Sequence, residues 1–179
     1  MIYVLIILVI LAMWAFGQYN GLVSLKNKVE EAFSTMDVML NKRFDLIPNV
    51  VATVKGYAKH EAETLEKVIA ARNSGLSKSE KMAQEAEISQ SIKQIFALVE
   101  AYPELKANEG FVKLQDQLSR MEDEIAQSRK YYNGVVRQFN TSLEVFPSVL
   151  FNNMFLHYQK EPMFEVADES VRKNVKVEF

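Results

Sequence analysis

Metal or acid–base chemistry in this chain would have to begin at its two imidazoles, His60 and His157. The stretch His60-Glu-Ala-Glu-Thr64 has the outline of the zinc motif His-Glu-x-x-His. That motif works because residues four apart share one helix face and present two ligands to a single ion. Here Thr64 stands at the second ligand position, so a zincin is excluded. Di-iron bundles take Glu-x-x-His from their helices, yet Tyr57 and Met154 stand three residues before the two histidines, and neither supplies a carboxylate. With no cysteine there is no thiolate ligand, thiol nucleophile, disulfide or lipidated amino-terminal cysteine. Gly56 and Gly134 are isolated glycines within helical patterns, where close helix packing is the expected reason for them, and neither belongs to a phosphate-binding loop. No serine has the strand-turn-helix setting of a nucleophile. The sequence therefore offers no catalytic residue, metal set or cofactor site, and reads as a non-enzyme.

The polar residues that do draw notice are Asp37, Arg43, Asp45, Asn49 and Arg72, which lie beside the apolar stripes described below. Charges in such places pair when they are partly buried. The expected role is a structural polar cluster that sets helix register, with a ligand-binding groove as the competing reading. Glu85, Glu87 and the run Glu122-Asp-Glu124 read as solvated helix faces. A formal charge of -2 and a pI near 5.8 give no overall electrostatic reason to bind nucleic acid.

The elements that must position these residues are helical. Six Gly and four Pro in 179 residues leave long uninterrupted stretches, and strand-turn-strand punctuation is almost absent before residue 145. Residues 1 to 16 carry no charge and nothing more polar than a tyrosine hydroxyl. At 1.5 Å per residue this run covers about 24 Å, somewhat under a hydrocarbon core of roughly 30 Å, and Gly17 to Val23 can extend it. It reads as a transmembrane anchor over 1–20, with Ile2, Leu5, Leu8, Leu11, Trp14 and Phe16 facing lipid and Trp14 and Tyr19 as interfacial rings. Two other readings stay open. Ala15-Phe16-Gly17 offers a signal-peptidase site, though the basic n-region is missing. A buried core helix is the other, though a run apolar on every face suits a small bundle poorly. Lys26 and Lys28 follow the run, with Lys42 and Arg43 farther on. They favour a single pass through the cell (inner) membrane with the bundle on the cytoplasmic side, a periplasmic or extracytoplasmic placement being the alternative.

After the anchor, Leu22, Leu25, Val29, Phe33, Met36, Leu40, Phe44 and Ile47 form one helical stripe, so the membrane helix is expected to run directly into the bundle, about 70 Å in all. Pro48 either kinks this helix or opens the next, with Asp45 as its cap. A second helix follows through Val50, Val54, Leu65 and Ile69 to the turn Asn73-Ser74-Gly75. Ser77-Lys-Ser-Glu80 reads as a capping box opening a third helix, whose stripe is Met82, Ala86, Ser89, Ile92, Ile95, Phe96 and Val99. Asn108 caps a fourth, which carries Phe111, Leu114, Leu118, Met121, Ile125, Ser128, Tyr132, Val135, Phe139 and Leu143. Its sustained 3.5-residue period means coiled-coil packing against a neighbour, within the chain or in another copy. The expected fold is all-α: a transmembrane helix continuing into a long antiparallel bundle of about four helices over 21–146.

From 147 to 179 the character changes to a short aromatic helix capped by Ser148 and an extended tail. The helix gathers Phe151, Met154, Phe155 and Tyr158 and contains no lysine. Either it folds back on the bundle, or it is an oligomer interface or a second membrane contact.

Tyr19-Asn-Gly-Leu-Val-Ser-Leu-Lys-Asn-Lys-Val-Glu-Glu-Ala32 and Asp37-Val-Met-Leu-Asn-Lys-Arg-Phe-Asp-Leu-Ile-Pro-Asn49 closely resemble the LemA family of bacterial membrane proteins. Val54-Lys-Gly-Tyr-Ala-Lys-His-Glu61, Tyr132-Asn-Gly-Val-Val-Arg-Gln-Phe-Asn140, Phe146-Pro-Ser148 and Phe164-Glu165 follow in the family's order. The resemblance implies an amino-terminal transmembrane helix and a long antiparallel bundle, and it implies no reaction. Phe33 stands where a tryptophan is commoner in the family and Asn41 where a basic residue is usual. The lipoprotein cysteine of some relatives is missing here.

These readings together describe a membrane-anchored, non-catalytic scaffold that self-associates and organises or remodels membrane. Lipid and further copies of the chain are its expected partners. The alternative is a membrane-bound adaptor that holds a protease or signalling membrane protein on its bundle surface.

Overall fold

The computed structural model describes residues 1–57, 76–98 and 101–164. Its described residues hold helices and turns and no strand. Helix α1 spans Ile2–Lys55, α2 Lys78–Leu98, α3 Pro103–Lys106, α4 Glu109–Ser142 and α5 Ser148–Phe151, and one π-helical turn follows over Asn152–Leu156. The second helix expected from the sequence lies outside the described residues beyond Tyr57, as do Arg72, His60 and the tail after Phe164.

Helix α1 continues through Pro48 as one element, so Pro48 does not open the next helix. An interior proline costs a helix about 3 kcal/mol by removing one backbone donor and crowding the preceding turn. Ile47, Val50, Val51 and Val54 are all buried around it, so packing outweighs the local preference. Gly56 falls in the turn after α1 rather than inside a helix. A Cβ there would meet only the Thr53 carbonyl oxygen at 3.8 Å, and one on Gly134 would meet nothing within 4 Å among the described residues. Among the described residues, neither glycine is pressed against a neighbouring helix.

Two compact units divide the chain, and α1 and α4 contribute to both. The first holds residues 1–39 and 125–163. In it α1 and α4 are antiparallel, since Phe33 meets Tyr132 at 5.8 Å while the Lys26 ammonium lies over the Phe139 ring at 5.9 Å. Leu22, Val29, Met36, Ile125, Tyr132, Val136 and Phe139 fill its core.

The second unit, in its described residues between 40 and 124, packs the end of α1 against α2, α3 and the first half of α4. Its core joins Ile47, Val50 and Val54 to Ile88, Ile92 and Ile95 and to Leu105, Phe111 and Leu118. Two caps anticipated from the sequence start helices here. The Ser77 amide and hydroxyl donate to Glu80 Oε2 at 2.9 and 2.6 Å, and the Glu80 amide returns a bond to Ser77 Oγ at 3.4 Å. The Phe111 amide donates to Asn108 Oδ1 at 3.0 Å.

The heptad series Phe111, Leu118, Ile125, Tyr132 and Phe139 is fully buried at each position. Every seventh residue of that series is therefore covered within the chain, while Leu114, Met121 and Ser128, at alternate positions of the same stripe, are only half-buried.

Candidate functional site

Two features stand out: a buried charge cluster in the second unit and an apolar surface in the first. Arg43 is wholly buried on α1. Its guanidinium donates to Glu122 Oε1 and to Ser89 Oγ, each at 2.6 Å, and pairs with the Glu85 carboxylate. Its Nε has no hydrogen-bond partner among the described residues. Glu85 is almost fully buried and Glu122 only partly so.

The structure therefore takes Glu85 from the solvated face assigned to it and seats it on the buried side of α2. The pull is a guanidinium 42 residues away, which costs far more buried alone than paired. The cluster joins three helices at one level. Asp45 and Asn49 remain exposed and Asp37 is half-buried in the other unit, so these three do not gather around Arg43. No local signal marks Glu85, because a carboxylate beside other polar residues looks the same whether or not a distant partner covers it.

In the first unit, the most apolar 18-residue stretch of α1 is long and apolar enough to cross a membrane, and none of it is buried. A helix serving as the core of a water-soluble fold would be covered. Ile2, Leu5, Leu8, Leu11, Trp14 and Phe16 are all exposed. The aromatic element meets this stretch at its carboxyl end: Phe151 lies edge-on to Trp14 at 5.8 Å, and Ser148 Oγ donates to Gln18 Oε1 at 3.4 Å. Ser148 does not cap α5, since Pro147 holds the capping position and no side chain bonds there.

Asn152, which no spacing or composition rule singles out, shapes this element from a buried position. Its amide donates to the Tyr158 carbonyl at 3.0 Å and its oxygen accepts the Tyr158 N–H at 2.8 Å. His157 ends the turn in the left-handed region, at φ 54° and ψ 30°. Met154 and Phe155 point outward, Tyr158 is half-buried, and its ring lies 5.9 Å from Phe139.

Beyond it, residues 160–162 form a strap. Asn140 exchanges two 2.9 Å bonds with the Glu161 backbone, and the Tyr132 hydroxyl donates to the Pro162 carbonyl at 2.9 Å. Lys26 pairs with Glu161 and with Glu30. Burial acts to lower the Lys26 pKa, but hydrogen bonds to Glu161 and Glu30, with their charges, outweigh it and raise the pKa above its ordinary value. Burial, then the Glu161 and Glu30 charges, push the Tyr132 phenol well above its usual range.

The described residues contain no group of three or more His, Cys, Asp or Glu placed to hold a metal ion. Ile47, Val50, Ile92, Ile95, Phe96 and Leu118 surround an apolar gap with no room for a water molecule.

The chain is 25% identical over 134 residues to Protein LemA of Metamycoplasma hominis, a match covering 73% of this chain and 61% of that relative. It thus spans about three fifths of the relative's length. The model of the LemA family matches residues 32–179, which hold the Arg43 cluster, the strap and the aromatic element together. With that match over most of its length, on a helical framework that the family resemblance anticipated, the chain belongs to the LemA family.

Proposed function

We propose that this protein is a membrane-anchored, non-catalytic scaffold whose copies associate in the plane of the bilayer. The observation that carries this reading is a single 54-residue helix, apolar and uncovered at one end and packed into a charge-locked core at the other. Apolar side chains left in water across such a stretch are strongly unfavourable at about 25 cal/mol per Å², and a bilayer removes that cost. The segment then spans the inner membrane once. Lys26 and Lys28 favour the cytoplasm for the residues that follow.

Because most of the α4 stripe is already buried, association between copies uses surfaces outside its buried positions, the exposed anchor first among them. Full-length protein in lipid nanodiscs, cross-linked and followed by mass spectrometry and mass photometry, tests this. Links between copies and masses above one chain are expected. A monomer at working concentration would end the scaffold reading, and a stoichiometric foreign partner would replace it with the adaptor.

A further inference from the structure

The stretch Val145 to Tyr158 contains no charged residue, and the charges beside it, Glu144 and Lys160, pair with each other. Its apolar side chains are turned outward: Phe146 is 74% exposed, Leu150 50%, Met154 68% and Phe155 63%. Scattered surface apolar residues need no explanation, but four large ones on a single short element do.

The place of this element in the fold supplies one. Phe151 touches Trp14 and Ser148 touches Gln18. Trp14 and Gln18 belong to the last turns of the apolar stretch, just before Asn20 and the first charged residue, Lys26. An indole and a glutamine there sit at the boundary between acyl chains and headgroups. Whatever packs on them shares that depth, so the outward faces of Phe146, Leu150, Met154 and Phe155 meet lipid rather than water.

The backbone is prepared for such a setting, where an unpaired N–H or C=O is costly. Asn152 satisfies both the N–H and the C=O of Tyr158, and its own carbonyl accepts the His157 N–H at 2.7 Å. Asn152 thus closes the end of the π turn on the Tyr158 backbone and leaves these groups paired.

We propose that α5 and the π turn form a second, interfacial lipid contact, lying in the leaflet through which α1 leaves the bilayer. The proposal rests on α1 spanning the membrane. It commits to lipid rather than a second copy because the patch is continuous with a segment that already requires lipid.

The cysteine-free sequence permits a direct test in the full-length chain. Single cysteines at Phe155→Cys, Leu8→Cys and Ser79→Cys would carry an environment-sensitive fluorophore in phosphatidylcholine and phosphatidylglycerol vesicles. Each would be exposed to brominated acyl chains and, separately, to iodide on both sides. The label at 155 is expected to lose emission to bromine and resist iodide, like the label at 8 and unlike that at 79. Iodide quenching at 155 without bromine quenching, with position 8 still in lipid, would overturn the second contact and leave the anchor intact. Shielding at 155 from both quenchers that disappears as lipid is added in excess would assign the patch to another copy and also overturn it. Loss of bromine quenching at position 8 would remove the anchor and this inference together.

Discussion

Arg43 carries the most consequential charge in the described structure, because its surroundings leave it no water to fall back on. Removing one side of a buried pair costs about 3–5 kcal/mol, chiefly by stranding the other charge. Arg43→Ala, which removes the guanidinium paired with the buried Glu85 carboxylate, is expected to lower unfolding stability by that order in a urea titration. Asp45→Ala, on the exposed side of the same helix, should stay within about 0.5 kcal/mol. Equal effects would show that the cluster does not hold the helices in register. Glu80 provides a smaller and more local test. The Ser77 hydroxyl and then its N–H hold the Glu80 carboxyl below its ordinary value. The folded pKa is the lower one, so this stabilisation is present above the ordinary glutamate range and is lost as pH falls through the folded value. Ser77→Ala should raise the Glu80 pKa in a side-chain NMR titration, and an unmoved value would contradict the capping box.

At the scale of elements, the strap over residues 160–162 has a built-in alkaline limit. Tyr132 and Lys26 both have folded pKa values above their ordinary ones. Their contributions are complete below about pH 10 and are lost as pH rises toward the folded values, because deprotonation then favours the unfolded chain. Thermal unfolding followed by circular dichroism should show a midpoint that falls above about pH 10, and Tyr132→Phe should flatten that fall. An unchanged slope in the variant would remove Tyr132 from the account. Elements were also the scale most open to reading from sequence. The stripe from Leu22 to Ile47, the Ser77 and Asn108 caps and the α4 heptads all follow from local periodicity and local hydrogen bonding. Of the two readings of Pro48, the opening of a new helix fails because the buried Ile47, Val50, Val51 and Val54 on the same helix outweigh its local preference. Glu85 and Asn152 were missed because each takes its role from a partner that no spacing rule identifies, a guanidinium on another helix in one case and the backbone of a π turn in the other.

At the scale of the molecule, the account turns on where the first segment of α1 resides. Its side chains are exposed along its length, and the aromatic element gathers at its water-side end. Function as a scaffold, sidedness and the second lipid contact all presuppose that this segment lies in a bilayer. The direct measurement is ultracentrifugation of a lysate prepared without detergent and expressing the full-length chain, with intact mass confirming that Met1 is retained. The chain is expected entirely in the membrane pellet, resistant to a high-salt wash and released only by detergent. Intact chain in the supernatant would contradict the central claim.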